Sequence, residues 1–240
     1  MGQPPKVTKF AQLNASPVLP AAFPEWQEKM DQWGSKLHDA VSVVADMLAS
    51  GLGLEPKVFT EMAQNGPHLL APTGSDLKKY GKVGTVLAGF HSDLNFLTIH
   101  GKSRFPGLNI WTRSGEKLLV KIPGKLNPKI CLHVDGCLLV QAGKQLEYMT
   151  GGTIVAGFHE VVVVDDTLKA IERQKENQRP LWRISSTLFY HLASDRTLAP
   201  LTPFVVDESI KEKYPPQYVG TQVAKELGFL ELSKSSDGQE

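Results

Sequence analysis

The chain has 240 residues, of which 41% are hydrophobic, with 26 basic and 25 acidic side chains. That length is enough for one well-buried domain, and a net charge of +1 gives no electrostatic footprint for nucleic acid or an anionic membrane. The sequence reads without a signal peptide, which is the expectation, and without an apolar run of roughly 18 residues, and two cysteines, Cys131 and Cys137, are too few for a disulfide framework. The expectation is a cytoplasmic monomer whose partners are small molecules, with no nucleic acid and no membrane among them.

Residues 1–22 are rich in Pro and Ala without periodicity and read as an N-terminal arm. Pro24 then opens a helix at the position where proline is tolerated. Trp26, Met30, Trp33, Leu37, Val41, Val44 and Leu48 follow at spacings of three and four, which predicts an amphipathic helix ending at Gly51 with this stripe packed on a sheet. Pro56 starts a second helix that stops at Asn65-Gly66, and His38 is expected to face solvent. Residues 67–82 read as a Pro/Gly/Lys-rich loop.

From Val83 the pattern turns to β, with strands predicted at 83–90, 93–99, 108–112, 117–122, 137–142, 153–164 and 182–190 and a hairpin turn at Thr112–Glu116. Many short strands punctuated by Gly and Pro favour a mostly β fold, closed or double-sheeted, with the preceding helices covering one outer face. Asp165-Asp166-Thr167 caps a helix through about Gln178, with Leu168 and Ile171 as its apolar contacts. A last short helix lies within 216–230. A single domain therefore spans 23–230, followed by a polar, disordered tail at 231–240.

The chemistry-bearing residues sit on the strands. His91-Ser92-Asp93 opens an apolar run to Ile99. In an extended chain residues i and i+2 share a face, so an imidazole and a carboxylate can aim at one point. That supplies two of the three ligands of a two-histidine, one-carboxylate metal site, although a solvated turn pair has the same spacing. The third ligand should be a distant histidine on a neighbouring strand. His159, inside the β-branched run 153–164, is the candidate, with a hydrogen-bonded core histidine as the plainer reading. In Leu181–Phe189, Arg183, Ser185 and Thr187 share a face. A guanidinium inside a strand is costly unless paired, and Arg with Ser suits a buried carboxylate. A second pair, His133 and Asp135, rivals the first on spacing alone but sits in a turn between Asn127-Pro128 and Gly136.

In this order the motifs resemble the iron(II)- and 2-oxoglutarate-dependent dioxygenases of the isopenicillin N synthase type. The matching pieces are His91-Ser92-Asp93-Leu94-Asn95-Phe96-Leu97-Thr98, Pro106-Gly107-Leu108-Asn109-Ile110, Gly136 to Gly143, Thr150-Gly151-Gly152, His159 and Arg183-Ile184-Ser185. The resemblance implies a double-stranded β-helix, or jelly roll, packed by the long N-terminal helices. It implies Fe(II) held by His91, Asp93 and His159, with 2-oxoglutarate as cosubstrate on Arg183 and Ser185 and dioxygen as oxidant. The reaction implied is oxidation of a C–H bond of a small organic substrate: hydroxylation by default, desaturation or ring formation as variants. His68, His100 and His191 are then non-ligands. The alternatives are a same-fold oxidase that uses no 2-oxoglutarate, or a catalytically weak ligand-binding relative. The chain departs from the family's pattern in three places. The N-terminal extension of family members is not found in this sequence, as expected of either a shortened member or a fragment. Ala71-Pro72 stands where many members have Tyr-Pro. The helix at 165–178 lengthens the stretch between His159 and Arg183; it and residues 205–230 are expected beside the mouth of the barrel.

Overall fold

The computed structural model describes residues 5, 7–120 and 138–236, with side chains described as far as residue 228. His133, Asp135, Cys131 and Cys137 lie outside the described residues.

Helix α1 (Trp26–Gly51) forms where the apolar stripe was read, and it packs on one face of a β-sheet. Its most buried positions are Gly34, Leu37, Val41, Ala45 and Ala49, while Trp33 lies at the rim and donates its indole N–H to Ser186 Oγ at 2.9 Å. The packed face is thus turned toward the small residues, which let the helix approach the sheet more closely than the large side chains alone would. Helix α2 (Val58–Ala63) adds Phe59, whose ring meets Phe96 at 4.7 Å.

Two four-stranded antiparallel sheets make the body. One runs in the order β1 (Leu69–Asp76), β8 (Trp182–Tyr190), β3 (Leu97–His100), β6 (Leu139–Ala142). The other runs β2 (Val86–Ser92), β7 (Phe158–Val162), β4 (Leu108–Trp111), β5 (Lys117–Leu119). From β1 to β8 the chain changes sheet at every step except between β4 and β5, the alternation of a jelly roll. The mostly β expectation with flanking helices holds. Helix α1 covers the outer face of the first sheet, and the inner faces of the two sheets enclose a cavity.

Several elements differ from the sequence reading. The loop expected at 67–82 contains β1, which pairs with β8 along its full length and then turns into a short helix, α3 (Leu77–Tyr80). Because β1 is an edge strand with one neighbour, Pro72 leaves no hydrogen bond unmade. The strand expected from 93 to 99 begins only at Leu97, and His91 belongs to β2 in the opposite sheet. The strand expected at 153–164 shortens to β7. Residues 153–157 drape over helix α4 (Lys144–Met149) instead, where Ala156 N–H donates to Glu147 Oε2 and Ile154 N–H to Thr150 Oγ1.

Helix α5 (Asp165–Glu176) forms as expected but buries Ala170 and Ile171, leaving Leu168 37% exposed. Its Thr167 hydroxyl donates to Pro106 O at 2.9 Å, which fastens the helix to the cavity rim. The C-terminal segment lies elsewhere. After a short helix, α6 (Glu208–Lys213), helix α7 (Val219–Ser236) runs into the stretch expected to be a disordered tail. Helix α7 packs behind the turn after Asp93, with Gln222 Nε2 donating to Leu94 O at 3.1 Å, and does not line the cavity.

His38 is half-buried rather than solvent-facing. Its ring meets His68 at 4.9 Å, and His68 stacks on Tyr190 at 4.6 Å. The His191 amide N–H donates to His68 Nδ1 at 3.1 Å, so the His68 proton sits on Nε2. Burial pushes the His68 imidazole down to about 3 and the His191 imidazole down to about 4. Both are therefore neutral in the fold, while the unfolded chain takes up a proton near 6.5. Their contribution is fully present above that value and is lost as pH falls toward about 4, at about 1.4 kcal/mol per pH unit for His191. Urea melts of wild type and His191→Gln at pH 7.5 and pH 5 should diverge by roughly that slope, the variant losing less on acidification; parallel losses would show that His191 does not carry the effect.

Candidate functional site

The cavity between the sheets has a volume of about 380 Å³. His91, Asp93 and His159 face it together, and Arg183, Ser185 and Thr187 line its β8 wall.

His91, the last residue but one of β2, lies directly opposite His159 of β7, with ring centroids 4.2 Å apart. The β2–β7 register slips twice before His91, and such irregularities re-aim a side chain. His91 Nδ1 donates to Gly89 O at 2.7 Å, leaving Nε2 turned to Asp93 Oδ1 at 3.5 Å. Asp93 lies just beyond the strand, where the chain leaves the second sheet, and is only 5% exposed. Its Oδ2 accepts from Thr98 Oγ1 at 2.5 Å, and its main-chain oxygen accepts from Lys144 N–H. The free Oδ1 is 3.9 Å from His159 Nε2. One oxygen and two ring nitrogens thus converge, all within 4.8 Å of one another. Among the described residues no other such group of histidine, cysteine and carboxylate side chains occurs.

The electrostatics follow from burial and contact. Burial pushes the Asp93 carboxyl up, but hydrogen bonds from His91 and Thr98 outweigh it and hold the group below the usual carboxylate range. The hydrogen bond to Asp93 raises His91, and burial lowers His159 to about 4. The result is a fixed carboxylate beside a buried neutral imidazole and a half-exposed one. A donor set of two imidazoles and one carboxylate suits a divalent first-row metal and leaves coordination positions for other molecules. The residues fit the metal that the motifs imply.

Arg183 presents the opposite charge. Burial lowers its guanidinium to about 10, so it stays cationic at neutral pH. Its Nε is buried without a hydrogen-bond partner, and among the described residues no carboxylate pairs with it. A buried guanidinium with an open donor beside a cavity is a site for an anion. Ser185 Oγ and Thr187 Oγ1 lie 3.3 Å apart on the same face.

The sequence reading did not pick out Ser75 and Thr73 of β1, which sit opposite Arg183 and Ser185 and also line the cavity. Their alternation was the available signal, obscured by Pro72 and Gly74. Thr98 and Gln141 were also missed: the first holds Asp93, and the second lies 2.9 Å from His159 Nδ1. Of the histidines set aside, His100 lines the cavity, while His68 and His191 belong to the packing around Tyr190 and α4.

No protein-family model matches the chain. It is 25% identical over 214 residues to 2-oxoglutarate-dependent dioxygenase 21, chloroplastic, of Oryza sativa subsp. japonica, covering 88% of this chain and 54% of that protein. The chain thus spans about half the length of this curated relative. Among solved structures it is similar to a 2OG-Fe(II) oxygenase family protein from Caulobacter crescentus (TM-score 0.72, 26% identity, 95% of this chain and 67% of that one). It also shares the fold of the dioxygenase for auxin oxidation in rice (TM-score 0.62, 19% identity, 88% and 60%).

The Thr98–Asp93 contact generates a direct test. Thr98→Val keeps the shape and removes the donor to a buried charge, which costs about 1.5–3 kcal/mol. Denaturant unfolding at neutral pH should show that loss, and an unchanged midpoint would mean Asp93 is satisfied without Thr98.

Proposed function

For a chain related to the iron(II)- and 2-oxoglutarate-dependent oxygenases and built on their fold, we propose an oxygenase that oxidises a C–H bond of a small organic molecule. In this reading His91, Asp93 and His159 hold the iron, and Arg183 with Ser185 holds the far carboxylate of 2-oxoglutarate. The observation that carries it is a combination within one cavity. A converged His–Asp–His donor set faces the same space as a buried guanidinium whose Nε has no partner among the described residues.

Bound there, iron(II) with dioxygen would supply the oxidising chemistry, coupled to conversion of 2-oxoglutarate to succinate and carbon dioxide. The chain's own residues do the rest. Asp93 contributes the negative charge that retains a dication, and Thr98 keeps one carboxylate oxygen occupied so that the other faces the histidines. Arg183 offers a planar fork to a carboxylate, Ser185 a neutral donor beside it. Leu108, Val161 and Phe105 form apolar walls that exclude water. Ala71 lines the cavity opposite Thr187, where a tyrosine would offer a further hydroxyl. That absence favours one competing reading, an oxidase that needs no 2-oxoglutarate and uses Arg183 for the substrate's own carboxylate.

Succinate formation against 2-oxoglutarate concentration separates the two. His91→Ala, Asp93→Ala and His159→Ala should each abolish metal-dependent turnover while the fold survives. Arg183→Gln should bind iron yet raise the 2-oxoglutarate requirement by roughly two to three and a half decades, as expected when a buried pair loses one side at about 3–5 kcal/mol. Ser185→Ala should cost less, about 1–3 kcal/mol. Substrate oxidation at the wild-type rate with no 2-oxoglutarate present would replace this reading with the oxidase.

A further inference from the structure

We infer that helix α7 positions the Asp93 carboxylate, acting through Gln222 and Gln145; the inference rests on the reading of Asp93 as a metal ligand. Asp93 belongs to no strand: β2 ends at Ser92 and β3 begins at Leu97. The backbone of this turn needs partners that no ladder supplies. Its four successive carbonyls each find one. Asp93 O accepts from Lys144 N–H at 2.8 Å, Asn95 O from Gln145 N–H at 3.1 Å and Phe96 O from Gly143 N–H at 3.0 Å, all at the start of α4. Leu94 O is the one that α4 leaves over. It accepts from Gln222 Nε2 at 3.1 Å, a side chain 128 residues further along the chain.

The Gln222 amide can face only one way. Its Oε1 accepts from Gln145 Nε2 at 3.1 Å, and Gln145 is fully buried. Gln145 Oε1 in turn accepts from Leu192 N–H at 3.0 Å, two residues past the end of β8, and its Nε2 lies 3.5 Å from His191 Nδ1. His191 is neutral, so Nδ1 can serve as the acceptor. Every donor along this path meets an acceptor. Reversing Gln222 would set Oε1 against Leu94 O, and reversing Gln145 would set its amide N–H against that of Leu192. The orientation is therefore dictated from β8, through α4, to the turn that carries Asp93.

A second tie runs beside the first. Lys144 Nζ donates to both carboxylate oxygens of Glu226, at 2.8 and 2.9 Å. Gln222 and Glu226 are one helical turn apart and share a face of α7. The first holds the turn directly; the second holds α4, whose Lys144 N–H holds Asp93 O. Thr98 fixes the rotation of the carboxylate, and these ties fix the backbone from which it hangs. A metal ligand must be held within about 0.5 Å of its working position, so both are needed.

The test is Mn(II) titration of the metal-free protein, followed by electron paramagnetic resonance, with the visible spectrum of the Co(II)-loaded protein as a second readout. Gln222→Met keeps the side-chain length and removes the donor to Leu94 O. It should weaken Mn(II) binding about 2- to 10-fold, the worth of one neutral hydrogen bond. It should also shift the Co(II) bands and leave the 2-oxoglutarate KM at saturating metal unchanged. Val223→Ala is the control on the same helix: it removes buried packing and should lower the unfolding midpoint without moving either metal readout. Lys144→Met, at a half-exposed site, decides the question if Gln222→Met does not fold. It removes a positive charge, which by charge alone would favour a dication, yet the loss of the Glu226 tie should weaken Mn(II) binding. Wild-type affinity and an unchanged Co(II) spectrum in a folded Gln222→Met overturn the inference while leaving the metal site standing. Equal losses in Gln222→Met and Val223→Ala, or unchanged or tighter Mn(II) binding in Lys144→Met, overturn it as well. A wild-type chain that binds no Mn(II) at all overturns the metal site and this inference together.

Discussion

Burial of the Asp93 carboxylate is the constraint on which the site depends. An ionised carboxylate taken out of water is expensive unless its lone pairs are met. Here Thr98 meets one oxygen and His91 faces the other. For the Thr98 hydroxyl to reach back, the chain must reverse tightly between residues 93 and 98. Asn95 makes that reversal, its Nδ2 donating to Leu97 O and to Thr98 Oγ1 from a fully buried position. Gly143 closes over the same turn, where a Cβ would lie 2.0 Å from Asn95 O. The crossing from the second sheet to the first is thus built around one anion, and His91 and β3 are placed by it.

The cavity is divided electrostatically in a way that folding alone does not favour. Asp93 is negative at one place and Arg183 positive at another, and the two do not pair. A chain selected only for stability would neutralise the buried guanidinium or replace it with an apolar side chain of similar volume. Leaving a donor of Arg183 open amounts to stored binding free energy for an anion. The same logic holds at the triad, where a single carboxylate and two imidazoles converge. A dication and an organic anion would each relieve one of the two costs, and bound side by side they would also attract each other.

Much of this was legible in the sequence because it lives in residue chemistry at fixed spacing. His91 and Asp93 two apart, a histidine inside a β-branched run, and Arg183 alternating with Ser185 and Thr187 are features of side-chain type and strand period. The long helix was legible for the same reason, although the deeper burial of Ala45 and Ala49 was not: a periodicity shows a stripe, and only packing shows its centre. The edge strand β1 was hidden because Pro72 and Gly74 are loop signals, harmless on a strand with one neighbour. The strand expected at 93–99 was started too early because its composition is continuous, whereas Asp93 and Asn95 turn the chain between Ser92 and Leu97. Residues 153–157 look like strand but find their hydrogen-bond partners on α4. Gln141 was read only as part of the stretch Gly136 to Gly143, because its contacts with Gly157 and His100 come from elsewhere in the chain.

The placement of the two charged groups also explains how an edge made of Pro, Gly and small hydroxyls can serve a site. Arg183 and Ser185 lie on β8, where the backbone is paired with β1 through Ser75 and Thr73, while β3 pairs with the same strand from Thr187 to Tyr190. His159 lies on β7, likewise interior, between β2 and β4. His159 and Arg183 are thus on interior strands, whereas His91 is on the edge strand β2 and Asp93 in the turn after it, held by Thr98. Besides Ala71 and Gly74, the edge strand β1 contributes Ser75 and Thr73, short side chains whose hydroxyls rotate to suit what they face. A bulky residue is not needed at Ala71 for the sheet to form, since its partner Thr187 is held by β3 through His100. Variation at position 71 is therefore structurally cheap. The edge strand can adjust what the cavity accepts without disturbing the strands that fix the metal donors and the guanidinium.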